Sequence, residues 1–231
     1  MRYRGAMKFL TDFADQGVIL PVTLLTLIAF AILQWRRGAL AWVGVLGTAF
    51  ALMLLLKVAF HACGIAPGSP RFNPSGHVAS ATAVYGGLAA MVIGGRLPAA
   101  LLPALVIAFL IAATRLALGV HTVPDVVAGG AVGLAAAAAL HRLAGPLPPS
   151  GRWQPALLVL LVAALLHGAH LDAEGAIRNL AARLRPAVAC GRHLGVAASA
   201  PRGQLSPGSR ALDARYSTIQ RAAGPSARSV R

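Results

Sequence analysis

Acidic residues are scarce in this sequence. The chain of 231 residues has 6 Asp and Glu against 21 Lys and Arg, a formal net charge of +15, and only 12% of its residues are charged. Hydrophobic residues make up 57% of the chain, and the mean hydropathy is +0.70. So little charge on so apolar a chain excludes an ordinary soluble domain and indicates a protein that crosses a membrane several times.

Cysteine is nearly absent, and aromatic residues are few. Cys63 and Cys190 lie far apart in the sequence, which favours free thiols over a disulfide. No basic face carries interleaved aromatic side chains, so nucleic acid is not an expected partner. The first long apolar run continues as a full span, and we therefore expect no cleavable signal peptide.

Long apolar runs are the main feature that is present. They lie at residues 18–35, 39–60, 78–94, 98–113, 125–140 and 155–167. Most are near the length of about 20 residues that a helix needs to cross a bilayer. The sequence therefore predicts an all-α fold, a polytopic membrane bundle of about six transmembrane helices over residues 18–168. Gly129, Gly130 and Gly133 in the fifth run favour close helix packing in lipid.

The two ends of the chain differ from this predicted bundle. Residues 1–17 mix cations with apolar side chains and predict an interfacial segment. Residues 169–190 predict a possible interfacial helix. Residues 191–231 are rich in Ser, Ala, Gly, Pro and Arg, which predicts a disordered basic tail suited to anionic lipid headgroups.

A short polar segment directly precedes the third apolar run. Asn73 or Ser75 is a candidate N-cap of that helix, and the free N–H groups of a helix N-terminus bind phosphate. Gly76 allows backbone and ligand to approach closely, and His77 would project from the first turn beside a bound anion. The alternative is a plain helix cap followed by an interfacial histidine.

A second polar segment lies between the fourth and fifth runs. Thr122 and Asp125 have the spacing of a capping box. One interpretation of Asp125 is therefore that it only caps the start of the fifth helix. His121, however, is close enough for that carboxylate to orient its imidazole. Arg115 adds a guanidinium suited to a bidentate grip on phosphoryl oxygens.

The topology predicts that these residues meet. The third and fourth runs are two successive crossings, so His77 and His121 are expected at the same membrane surface. Lys57, at the end of the second run, and Arg71, in the following loop, are expected there too. Two histidines, three cations and the carboxylate of Asp125 indicate a phosphate site.

These segments resemble two motifs of the type-2 phosphatidic acid phosphatase superfamily. Pro74-Ser75-Gly76-His77 matches the second motif of the family, Pro-Ser-Gly-His. The third motif of the family is Ser-Arg, five residues, His, three residues and Asp. The sequence has Arg115, His121 and Asp125 at this spacing, with Thr114 where serine is usual.

The sequence differs from the family in the first motif, which consists of Lys, six residues and Arg-Pro. Lys57 matches its lysine, but Gly64 stands at the arginine position and no Arg-Pro follows. Either Arg71, the arginine of that loop, takes the missing role, or the site works with one cation fewer.

The resemblance implies a role for each matching residue. His121 would be the nucleophile that forms a phosphohistidine, Asp125 would orient it, and His77 would be the general acid. The implied phosphate ligands are Lys57, Arg71, Ser75, Gly76 and Arg115. The resemblance implies neither a metal nor another cofactor.

The predicted function is an integral-membrane lipid phosphatase. It would hydrolyse a phosphomonoester or pyrophosphate of an amphiphilic lipid, such as undecaprenyl pyrophosphate, phosphatidic acid or phosphatidylglycerol phosphate. A lipid phosphotransferase and a non-catalytic lipid-binding membrane protein are the alternatives. Length and composition do not predict an oligomeric state.

Charge between the runs predicts the orientation in the membrane. The turns on the face opposite the phosphate site carry Arg36, Arg37, Arg96, Arg142 and Arg152. By the positive-inside rule that face is cytoplasmic, although the basic residues of both termini act against this assignment. We predict a bacterial inner-membrane protein whose site faces the periplasm or the outside.

Overall fold

The computed structural model describes residues 2–63 and 72–184, and within these ranges every regular element is a helix. The α-helices are α1 (Arg2–Asp12), α2 (Gln16–Ile32), α3 (Arg36–Cys63), α4 (Gly76–Ala81), α5 (Gly87–Ile93), α6 (Leu97–Ala117), α7 (Val123–Ala144), α8 (Gln154–Leu165) and α9 (Ala173–Leu184). The all-α prediction is confirmed. Arg71, residues 185–190 of the predicted interfacial helix and the predicted tail at 191–231 lie outside the described residues.

Five helical stretches of the described chain are long and apolar enough to cross a membrane. They are Arg4–Ile32, Arg36–His61, Gly76–Ile93, Leu97–Ala117 and Val123–Ala144. They correspond to the first five predicted segments. This number of long apolar helices indicates an integral membrane protein.

The sixth predicted segment is helical but shorter than the other five. Helix α8 has 12 residues. At a rise of about 1.5 Å per residue it extends about 18 Å, against a hydrocarbon core of about 30 Å. The chain leaves the helix in a turn that ends at Gly168, whose φ of 84° is readily adopted only by glycine.

Large apolar side chains cover the outside of the bundle. Leu55 and Phe109, on α3 and α6, are 67% and 73% exposed. Leu24, Ile28, Leu40, Val43, Leu102, Leu105, Leu157 and Leu160 are exposed as well. Soluble monomers rarely expose apolar patches of such extent, whereas a lipid-facing surface requires them.

The third span is the most enclosed part of the bundle. It consists of α4, a π-helical turn at Thr82–Gly86 and α5. Within its most apolar window 72% of residues are buried, compared with 28% in the first, second and fourth spans. The sequence did not predict the π-helical turn.

Helix α7 packs against this central span at glycines. A Cβ at Gly129 would collide with the carbonyl oxygen of Ser75, and one at Gly133 would lie 2.6 Å from the Cβ of Thr82. The predicted small-residue face is therefore the surface that lets α7 and α4 approach. This approach brings the chain before α4 against the first turn of α7.

Arginines of two basic turns lie at the other end of the bundle. Arg37 donates from Nε to the carbonyl oxygen of Leu143 at 2.7 Å, and Arg152 donates from Nη2 to that of Ile93 at 2.8 Å. These guanidinium groups satisfy carbonyl groups at the C-terminal ends of α7 and α5. The candidate phosphate ligands therefore lie at the end away from these arginines.

Candidate active site

Hydrogen bonds join the loop before α4 to the first turn of α7. The backbone N–H of Asn73 donates to Oδ1 of Asp125 at 2.7 Å, and the backbone N–H of Ser75 donates to the carbonyl oxygen of Asp125 at 3.0 Å. The segments that carry the second and third motifs therefore lie side by side at one end of the bundle.

His121 lies in the turn between α6 and α7 and faces Asp125. Its Nδ1 is 3.7 Å from Oδ2 of Asp125, too long for a hydrogen bond but close enough for a charge interaction. The same Oδ2 accepts hydrogen bonds from the N–H and the hydroxyl of Thr122, at 2.9 and 2.8 Å. Asp125 therefore caps α7 and also faces the imidazole of His121. Because Nδ1 of His121 points towards this carboxylate, Nε2 is the ring nitrogen that remains for a ligand.

Ser75, Gly76 and His77 form the start of the third span. Ser75 is the N-cap, and its Oγ accepts a hydrogen bond from the N–H of Val78 at 3.5 Å. Gly76 lies against Lys57, because a Cβ at this position would be 3.4 Å from the lysine Cε. The span that begins here is 18 residues long, and the free N–H groups of its first turn carry partial positive charge.

Two cations, the buried Lys57 and the partly buried Arg115, line this end of the bundle. Lys57 is 4% exposed, and its Nζ donates to Oδ1 of Asn73 at 3.1 Å and to both carboxylate oxygens of Glu174. Arg115 donates from Nη1 to the hydroxyl of Thr11 at 3.4 Å, and its Nε is buried with no partner among the described residues. This Nε is a donor suited to a phosphoryl oxygen.

His77 has a carboxylate neighbour of its own. Its Nε2 is 3.8 Å from Oδ2 of Asp15, and Asp15 also accepts hydrogen bonds from the N–H groups of Gly17 and Leu171, at 2.9 and 3.0 Å. The carboxylate of Asp15 is therefore held in place by backbone donors and faces the imidazole of His77.

Asp15 and Glu174 are contacts that sequence reasoning missed. Both belong to segments that were assigned to the membrane surface. The sequence signal that points to them is composition. The whole chain has 6 acidic residues, so a carboxylate beside an apolar run is unusual and is a candidate for a specific contact. The cation or imidazole that each carboxylate faces depends on how the helices pack.

The surroundings set the charge of two groups that lie outside the spans. Burial lowers the pKa of His121 below its ordinary value of 6.5, and the charges of Arg115 and Lys57 lower it further, against the opposing effect of the nearby carboxylates. Burial would raise the pKa of Glu174, but the hydrogen bonds and the charge of Lys57 outweigh it and lower that pKa to about 2. Near neutral pH His121 is therefore uncharged and Glu174 is ionised.

His77 lines two different cavities. The first, of about 440 Å³, is mainly apolar and extends from Lys57 and His77 between α2, α3 and α9. Its apolar walls include Leu20, Phe50, Met53 and Ile177. The second, of about 640 Å³, is lined by the cations Arg4, Lys8 and Arg115 and by the carboxylates Asp12 and Asp15. The two cavities that meet at His77 thus differ in their walls, which are mainly apolar in the first and carry charged side chains in the second.

Arg71, the remaining predicted phosphate ligand, lies outside the described residues. Within residues 2–63 and 72–184, no group of three or more His, Cys, Asp or Glu side chains has an arrangement that could hold a metal ion.

Comparison with known families accounts for these motifs. The model of the PAP2 superfamily matches residues 38–147, which extend from the first turn of α3 to just beyond α7. This stretch is a PAP2 superfamily domain. The resemblance of the motifs is therefore confirmed. No curated protein and no solved structure matched the chain.

The PAP2 domain supports phosphoric ester hydrolysis at the level of the family. Helices α1, α2, α8 and α9 lie outside the matched residues. Asp15, which caps α2, and Glu174 of α9 therefore come from outside the PAP2 domain and meet His77 and Lys57 of that domain.

Proposed function

We propose that the protein is a lipid phosphatase that cleaves a phosphomonoester or pyrophosphate of an amphiphilic lipid through a phosphohistidine on His121, without a metal ion. The observation that carries the proposal is the pairing of an uncharged His121 with Asp125 next to Arg115 and Lys57, at one end of an apolar helix bundle.

In the proposed mechanism Nε2 of His121 attacks phosphorus. Asp125, on the Nδ1 side, stabilises the positive charge that the ring gains. His77 donates a proton to the departing oxygen, so that the alcohol or phosphate leaves uncharged or with less charge. Water then attacks phosphorus of the phosphohistidine and gives a proton to His77, the P–N bond breaks, and inorganic phosphate leaves with His121 restored.

The phosphoryl oxygens need donors while negative charge shifts onto them. Arg115 and Lys57 supply cations, and the hydroxyl of Ser75 and the free N–H of Gly76 supply further donors. Arg71 is proposed as a further ligand. Lys57, Arg115 and the first turn of α4 are positioned by the fold, which is the condition for stabilising a transition state electrostatically.

The proposed substrate class follows from the first cavity. Its apolar walls reach Lys57 and His77 and suit the chain that adjoins a lipid phosphate. Undecaprenyl pyrophosphate, phosphatidic acid and phosphatidylglycerol phosphate all have such a chain. We propose lateral access from the bilayer, with the apolar part remaining in lipid.

The orientation is part of the proposal. Arginines at the end away from the site bind the helix-terminal carbonyl groups of α5 and α7, and the positive-inside rule assigns such an end to the cytoplasm. The site would then face the periplasm of a bacterial inner membrane. A topology reporter inserted after Trp35 tests this, because a periplasmic signal there would reverse the assignment.

A phosphate-release screen tests the proposed activity. The purified full chain in detergent would be offered the three lipid phosphates named above, with and without EDTA. We expect release of inorganic phosphate from at least one of them, unaffected by EDTA. Transfer of phosphate to added alcohols in place of release would identify a phosphotransferase, and no turnover of any substrate would favour a non-catalytic lipid-binding protein.

The pKa of His121 predicts the acidic limb of the pH profile. The nucleophile must be uncharged, so activity falls as pH drops through its pKa, and because that pKa is lowered, the fall in kcat/KM is expected below pH 6.5. Lys57→Met removes a cation that lowers this pKa, and we expect the limb to move to higher pH. Ionisation of the substrate is common to both proteins, so the shift between them reports on the enzyme. An unmoved limb would contradict the assignment of this titration to His121.

A further inference from the structure

Helix α9 begins at the candidate phosphate site. Lys57 donates from Nζ to both carboxylate oxygens of Glu174, at 2.9 and 2.7 Å, and Asn73 donates from Nδ2 to one of them at 3.2 Å. His61 places its Nε2 3.5 Å from the same oxygen. A carboxylate on such a set of donors offers the same two-oxygen contact that a phosphoryl group would make.

The contact of Glu174 with the site is incomplete. Arg115 makes no hydrogen bond to Glu174, and its Nε is buried with no partner within the described residues. Nδ1 of His121 is likewise buried without a hydrogen bond there. Glu174 therefore occupies the Lys57 side of the site and leaves the Arg115 side open.

The rest of α9 is held by a small apolar contact. Ala181 of α9 is buried against Val58 of α3, with Ile177 packed on this pair, and the three form a cluster separate from the main core. Leu180 and Leu184 are both exposed. Elements with few buried apolar contacts open locally at lower free energy than the core does.

We infer that Glu174 is an internal competitor for phosphate, and that α9 is a gate which a lipid phosphate must displace from Lys57 and Asn73. This inference rests on the proposed function, because it assigns the same site to phosphate. A phosphate group has two advantages over the carboxylate. It carries more negative charge, and it has a further oxygen to offer to Nε of Arg115, which has no partner among the described residues.

Displacement of α9 would also widen the path from the bilayer. Ala176 and Ile177 of α9 line the apolar cavity together with Phe50 and Met53 of α3. Movement of α9 away from α3 opens the cavity to lipid at the level of Lys57. The same motion thus frees the cation and admits the chain.

The test is the affinity of the full chain for inorganic phosphate, measured by calorimetry in detergent. Glu174→Gln keeps the shape of the side chain and removes the charge. We expect it to bind phosphate about tenfold more tightly than the wild type, since apparent affinity scales with the fraction of molecules in which the site is free. Ala181→Gln, which weakens docking of α9 on Val58, is expected to shift affinity in the same direction.

Asp172→Asn is the matched control. Asp172 precedes α9 and accepts a hydrogen bond from the N–H of Gly175, a contact that asparagine preserves. This variant loses the same charge near the same place and is expected to bind phosphate as the wild type does. Equal or weaker binding by Glu174→Gln, an equal gain in Asp172→Asn or an unchanged Ala181→Gln would overturn the inference. The measurement needs no turnover, so a failed phosphate-release screen rejects the phosphatase without deciding this result.

Discussion

Replacing His121 with alanine is expected to abolish phosphate release from the lipid substrate, a loss of at least about 10³-fold. The imidazole is the proposed nucleophile, and without it no phosphohistidine forms. The fold should persist, because His121 lies in a turn and its Nδ1 makes no hydrogen bond within the described structure. Initial rates at saturating substrate, together with helix content by circular dichroism, measure both effects.

His141→Ala provides a matched control for this experiment. His141 lies in the last turn of α7, at the end away from the site, where its Nδ1 is 3.2 Å from the carbonyl oxygen of Ala90. The same substitution there should leave at least about half of the activity, since it removes no group that meets substrate. Undiminished phosphate release from His121→Ala would reject the nucleophile assignment.

Asp125→Asn is expected to lower kcat by about 10²–10⁴-fold, because an amide does not stabilise the imidazolium as a carboxylate does. It is also expected to destabilise the protein by about 1–3 kcal/mol. Both oxygens of Asp125 accept hydrogen bonds, from Asn73 on one side and Thr122 on the other, and asparagine replaces one of these acceptors with a donor. Activity measured well below the unfolding temperature separates the two effects.

Thr122→Val distinguishes the two roles of Asp125. It removes the hydroxyl that donates to Oδ2 and leaves the carboxylate beside His121. We expect a stability loss of about 1 kcal/mol, typical of a lost cap, with a much smaller effect on kcat than Asp125→Asn has. If both variants lose activity in proportion to their lost stability, Asp125 serves only to begin α7.

Asp125 also illustrates how far short-range patterns extend. The spacing of Thr122 and Asp125 predicted a capping box, and the hydrogen bonds confirm it. The same spacing placed a carboxylate four residues after His121, and the two side chains do face each other. Both contacts lie within one helical turn, where sequence separation fixes distance. Helix capping and a part in catalysis are compatible uses of one carboxylate.

The helical spans were predictable for a different reason. A run of apolar residues long enough to cross a bilayer has few other stable arrangements, since backbone groups in lipid must satisfy one another. The prediction was weakest where the run was short, and the sixth segment is indeed a helix of 12 residues. The π-helical turn at Thr82–Gly86 left no signal, because its residues are as apolar as their neighbours.

The sequence by itself determined the long apolar spans, the capping box and the order of two PAP2 motifs, because each depends on residues that are near one another along the chain. Only the tertiary structure decided which distant groups meet: Glu174 with Lys57 across 117 positions, and Asp15 with His77. In a membrane bundle the lipid-facing and core-facing sides of a helix are both apolar, so hydrophobic periodicity does not reveal which way each helix is turned. Packing at the glycines of α7 sets that rotation, and with it the contacts of the site.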